Sequence, residues 1–99
     1  MNRGEIYWAD LVPRSGAEQT PGWKSIIVVP ISTSASQGGR GPTVVELPGG
    51  SAGLPKASFA VCHQVTTLDR AKLARKLGTL SPEVLQRVGE ALKASMDLD

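Results

Sequence analysis

A single cysteine and a single histidine are all that this chain of 99 residues holds of those two metal-binding types. Cys62 alone can close no internal disulfide, and it builds no zinc site by itself. Long apolar runs are also missing. No stretch approaches the ~20 residues needed to cross a bilayer, so no membrane association is expected. The opening MNRGEIYWAD lacks the apolar segment of a secretory signal, and a cytoplasmic location is expected. The glycine cluster GGRG lacks the Gly-Lys-Ser/Thr ending of a phosphate-binding loop. What remains is an ordinary globular composition, 40% hydrophobic and 20% charged, sized for one domain over residues 1–99. The net charge of +2 is unevenly spread. Residues 1–82 carry nine Lys or Arg against five Asp or Glu, a net of +4, and the last 17 residues carry two against four. A basic body with an acidic tail suits a polyanion partner, although mixed surface charge is common.

The most informative stretch is KSIIVVPISTS, residues 24–34. Four β-branched apolar residues, Ile26 to Val29, predict a strand buried on both faces. Pro30 has no N–H to donate, so pairing should weaken there. Ser32, Thr33 and Ser34 then deliver three hydroxyls to the strand end. Before it, residues 3–12 predict a first strand with Ile6, Trp8 and Leu11 inward and Tyr7 and Asp10 outward. Residues 13–22 have the Gly and Pro density of a loop. After it, residues 34–42 predict a mobile loop, 43–47 a strand, 48–58 a turn-rich crossing, and 58–65 a strand. That strand would place Phe59, Val61 and His63 on one face and Ala60, Cys62 and Gln64 on the other. A short helical turn capped by Asp69 is expected over 68–73, then a last strand over 74–80 with a bend or bulge at Gly78. Ser81-Pro82-Glu83 marks a helix start by hydroxyl cap, proline at the first position and acid at the positive end. Leu85, Val88, Leu92 and Met96 share one face of that helix. The fold class is therefore mainly β with a C-terminal α-helix, a small curled sheet or barrel.

Several residues are candidates for chemistry. Ser32 to Ser34 have no base arranged beside them, and hydroxyls also end strands without any further role. His63 suits proton transfer, yet a lone strand histidine is more often structural. Trp8 should pack in the core, whereas Trp23, in a Pro-Gly loop, suits stacking on a base or partner and equally suits local packing. Arg14, Glu18 and Gln19 lie on a connection of the kind that carries function. From these residues alone the reading stops at a small mostly-β domain that binds RNA or protein.

RGEIYWADLVPRSGAEQ, VVPIST, TVVEL and SFAVCHQVTTLDRAKLARKLGTLSPEVL, in this order, resemble the MazF/PemK growth-inhibitor toxins over nearly the whole length. The resemblance implies a small SH3-like barrel of the MazF/CcdB type, with a C-terminal helix, forming a homodimer. It implies a sequence-specific endoribonuclease of a toxin–antitoxin pair, needing no metal or cofactor. In such enzymes the ribose 2′-OH of single-stranded RNA attacks the adjacent phosphate and leaves a 2′,3′-cyclic phosphate. An acidic, MazE-like antitoxin is the implied partner. Carried over residue by residue, Ser32 is the hydroxyl after Pro-Ile and would hydrogen-bond the scissile phosphate. His63 stands where some members carry an acid, and Lys24 is the available cation; these three form the implied catalytic set. Glu18, Gln19 and Gln64, with Arg14 and Trp23, form the implied RNA-binding set.

One departure stands out. The family follows Glu-Gln with a Gly-x-Arg-Pro segment whose arginine is the main catalytic group. Here GAEQTPGWKSIIVVPIST contains one strand and no such arginine. Either that strand and its loop are lost, the alignment favoured by the position of TVVEL, or GWKSIIVV replaces it with Lys24 at the arginine position. A lysine supplies charge but not a planar fork for two phosphate oxygens. A catalytically impaired, binding-only form and a bare SH3-like interaction domain are the remaining alternatives.

Overall fold

The computed structural model describes residues 2–10, 25–39 and 41–98. Its strands run Glu5–Ala9 (β1), Ser25–Val28 (β2), Ile31–Ser32 (β3), Val44–Leu47 (β4), Ser58–Val61 (β5), Thr66–Asp69 (β6) and Leu73–Thr79 (β7), followed by one helix, Pro82–Ser95 (α1). All pairing is antiparallel. β1 pairs with β7, β2 with β6, and β5 lies between β3 and β4. The mainly-β class with a terminal helix is as expected. Among the described residues the strands form three ladders rather than one closed ring.

Pro30 acts as expected. β2 ends at Val28 and β3 begins at Ile31, and across the gap the Pro30 carbonyl accepts from the Val61 N–H at 2.9 Å. The core lies between the β3–β5–β4 sheet and α1, where Val45, Leu47, Ala60, Cys62, Val88 and Ala91 are buried with Ile6 and Leu54. Helix α1 starts as the sequence specifies: the Ser81 hydroxyl accepts from the Val84 N–H at 3.3 Å, with Pro82 in the first turn. Val88 is buried on the expected face, but Met96 is 52% exposed because it caps the helix beyond the reach of the sheet.

Four further expectations are corrected. Trp8 is 52% exposed rather than in the core. The β1–β7 register shifts between Ile6 and Tyr7 and again between Tyr7 and Ala9, so simple alternation fails and Trp8 turns outward. Ile27 is 77% exposed, so β2 is not buried on both faces. It belongs to a two-stranded ribbon with Thr67 opposite, and a ribbon of this kind has cover on one side only. The strand expected over 58–65 stops at Val61, and Cys62–Gln64 form a 3₁₀ turn, so Cys62, His63 and Gln64 do not alternate across a sheet. The turn expected over 68–73 is a strand to Asp69 and then a 3₁₀ turn, Arg70–Lys72. Asp69 does cap it, its side chain accepting from the Ala71 N–H at 2.9 Å. The glycine-rich loop also contains a 3₁₀ turn, Ala35–Gln37.

Gly78 has the role its position suggested. It pairs with Ile6 at the register shift, and a Cβ there would lie 2.5 Å from the backbone carbonyl of Ala52. Only glycine lets those two main chains approach so closely.

Candidate nucleic-acid interface

Ser32 is set by register. It lies opposite Phe59 on β5, and Phe59 lies opposite Glu46 on β4. Residues directly opposite each other project to the same side of a sheet. Ser32, Phe59 and Glu46 therefore form one row on the face turned away from the core, while Ile31, Ala60 and Val45 form the inward row. The β-branched run ends in a hydroxyl pointing outward because Ile31 must point in.

The Ser32 hydroxyl is already engaged on one side. Its Oγ accepts from the Ser34 N–H at 3.1 Å. That bond uses a lone pair and leaves the O–H proton to be donated elsewhere, the arrangement a phosphate oxygen needs. The same segment then tightens: the Ser34 carbonyl accepts from the Gln37 N–H at 3.1 Å, and the Ser34 and Ser36 hydroxyls are 2.8 Å apart. Gly38 brings this turn over Phe59, since a Cβ there would sit 3.5 Å from the ring.

His63 is elsewhere. It lies four residues beyond Phe59, past the other end of β5, on the 3₁₀ turn with Gln64. At ~3.3 Å per strand residue and ~2 Å per 3₁₀ residue, about 10 Å of chain separates it from the Ser32 register. Register thus sets Ser32 opposite Phe59 near the start of β5 and His63 on the turn that follows its end. The His63 Nδ1 is 2.8 Å from the Thr43 Oγ1, which orients the ring and leaves Nε2 for a ligand. Both His63 and Gln64 are exposed. Cys62, next to them, is fully buried, and burial pushes its thiol pKa up, so it stays a neutral packing residue.

Arg14, Glu18, Gln19, Trp23 and Lys24 lie outside the described residues. Among the described residues, no group of three or more His, Cys, Asp or Glu is placed to hold a metal ion. Among the described residues, no helix is long and apolar enough to cross a membrane.

Sequence reasoning passed over Phe59 and Glu46 as neighbours of Ser32, because cross-strand register is invisible along a single chain. It also passed over a polar cluster on β1 and β7. The Glu5 carboxylate accepts from the Asn2 N–H at 2.8 Å, from the Tyr7 hydroxyl at 3.3 Å and from the Lys76 ammonium at 2.7 Å. The i, i+2 spacing of Glu5 and Tyr7 on a strand was the available signal.

Comparison with known proteins converges on one group. A family model described as "PemK-like, MazF-like toxin of type II toxin-antitoxin system" matches residues 2–96. The chain is 30% identical over 112 aligned positions to endoribonuclease EndoA of Bacillus subtilis, covering 99% of this chain and 96% of that protein. It is 32% identical over 112 positions to endoribonuclease MazF of Staphylococcus saprophyticus, covering 99% and 92%. Both alignments are longer than this chain of 99 residues, so each relative has positions without a counterpart here. In fold, the chain is similar to an endoribonuclease from a mycobacterial species, solved in complex with its cognate antitoxin. The TM-score is 0.73 at 20% identity, covering 98% of this chain and 95% of that one.

Proposed function

This chain belongs to the PemK-like, MazF-like toxins of type II toxin–antitoxin systems, and on that premise we propose that it cuts single-stranded RNA at a short defined sequence. The carrying observation is the Ser32 hydroxyl, presented outward at the end of β3 with one of its lone pairs taken by the Ser34 N–H.

In the proposed reaction the ribose 2′-OH gives up its proton and its oxygen bonds to the adjacent phosphorus. The bond from phosphorus to the 5′-oxygen breaks, that oxygen takes a proton, and a 2′,3′-cyclic phosphate remains. Ser32 donates to a non-bridging oxygen, where charge builds as the phosphorane forms. Lys24 is the proposed source of positive charge. His63 was expected in the catalytic set. Its place past the far end of β5 favours an RNA contact alongside Gln64 instead. Arg14, Glu18, Gln19 and Trp23 are the proposed contacts of the first loop.

Two partners accompany this reading: a second copy of the chain, forming a homodimer, and an acidic antitoxin. The basic bias of residues 1–82 supports an acidic partner.

A second reading has its own observation. The chain has no Gly-x-Arg-Pro segment after Glu18-Gln19, and the relatives carry positions that it lacks. A form that binds RNA or antitoxin without cutting follows from that loss. The two readings separate in one assay. Folded protein is incubated with a long RNA in EDTA, and the 3′ ends are mapped. Cuts at a repeated short sequence, ending in cyclic phosphate, are expected. RNA retention without cuts above buffer supports the binding-only form.

A further inference from the structure

The turn after Ser32 contains an acceptor with nothing to accept from. The Gln37 Oε1 is buried and, among the described residues, has no hydrogen-bond partner. A buried carbonyl left unpaired costs free energy and calls for an explanation. Two neighbouring features supply one. The Gln37 backbone is tied to Ser32 through Ser34, whose carbonyl accepts from Gln37 and whose N–H donates to the Ser32 Oγ. The same turn lies against Phe59, the aromatic residue directly opposite Ser32, on the outward face.

We infer that Gln37 is a specificity-determining residue, its side-chain amide reading the edge of the nucleobase beside the phosphate held by Ser32, with Phe59 as the apolar surface under that base. This rests on the ribonuclease reading above. An amide offers an acceptor and a donor side by side. Its complement is a base edge that sets a donor beside an acceptor, such as the amino group and ring nitrogen of adenine. Unpaired RNA bases expose that edge. Gln37 is only half-buried, so its amide reaches the base by rotation about its own side-chain bonds. Pairing with the base then satisfies the acceptor that the free protein leaves unmatched.

The test compares wild type with Gln37→Met, which keeps length and shape and removes both polar groups. Each protein digests a pool of RNA with randomised sequence, and the cut ends are sequenced. Wild type should favour one base over the others at one position flanking the cut. In Gln37→Met that preference should fall by about 10- to 100-fold while preferences at other positions persist. The thermal midpoint of the variant should equal or exceed that of wild type, since an unpaired buried acceptor has gone. A preference profile identical to wild type overturns the inference and leaves the ribonuclease reading intact. So does a lower midpoint with an unchanged profile, which makes Gln37 structural. Where wild type retains RNA without cutting it, the same comparison is made on the retained RNA. A folded wild type that neither cuts nor retains RNA overturns both readings together.

Discussion

The Lys76 ammonium lies 2.7 Å from the Glu5 carboxylate, joining β7 to the start of β1. Lys76 is the largest of several donors that hold the Glu5 carboxyl down from its ordinary value of 4.5 to about 2, with the Asn2 amide second. The bond raises Lys76 in return. A carboxyl depressed on folding adds stability above its unfolded value and loses that contribution as pH falls through the folded one. Thermal midpoints of wild type and Glu5→Gln should therefore differ most near pH 6, and the gap should close between pH 4.5 and 2. High salt should narrow it as well, because the Lys76 side chain is 45% exposed. A gap that persists at pH 2 would show that the carboxylate charge is not what matters.

Removing the Ser32 hydroxyl should slow RNA cleavage by about 10²- to 10³-fold, the usual effect of losing one donor to a developing oxyanion. The fold should survive, because Ile31 rather than Ser32 faces the core. RNA binding by Ser32→Ala should stay close to wild type, and Ser32→Thr should restore most of the rate. Single-turnover kinetics with a labelled oligonucleotide read both. Equal rates for Ser32→Ala and wild type would remove Ser32 from the chemistry.

Gly78→Ala forces a methyl group against the Ala52 carbonyl at 2.5 Å. Overpacking of this kind costs about 1–3 kcal/mol, and here both neighbours are backbone and cannot rotate away. Urea unfolding should show a lower midpoint with an unchanged slope. Gly39→Ala is the useful contrast: its positive φ strains alanine, but no atom lies within 4 Å of the new methyl. It should therefore be the milder of the two.

Cys62 should be inert in the native protein. It is fully buried with a raised thiol pKa, and its Sγ sits 3.8 Å from the Ala60 carbonyl and 3.9 Å from that of Val88. A thiol-reactive dye should label it only after unfolding, at one equivalent per chain. Fast labelling under native conditions would mean that α1 lifts from the sheet.

The parts of this fold that local chemistry dictates could be read along the chain. Ser81, Pro82 and Glu83 specify a helix start with no help from the rest of the protein, and Pro30 breaks a ladder wherever it stands. Gly78 also announced its bulge. What could not be read depends on partners far away in sequence. Trp8 turns out because β7 slips register against β1. Ile27 turns out because β2 is covered on one side only. β6 went unseen because TTLD has too few apolar residues to signal a strand before Ile26 and Val28 are known to lie opposite it. For the site the division is the same. Ser32 was visible from its motif, whereas its row with Phe59 and Glu46, and the distance to His63, exist only once β3, β5 and β4 are side by side.

The break at Pro30 has a mechanical consequence. The β2–β6 ribbon stands on one side of it, and Ser32, held to β5 through Ile31 and Ala60, stands on the other. A two-stranded ribbon opens at low cost by itself. Because no ladder hydrogen bond runs from Pro30 nitrogen, fraying of the ribbon has no rung by which to pass into β3. The chain thus joins a yielding half to a fixed one at a single imino acid, and bending of the ribbon need not disturb the Ser32 hydroxyl, to which the proposed phosphate contact is assigned.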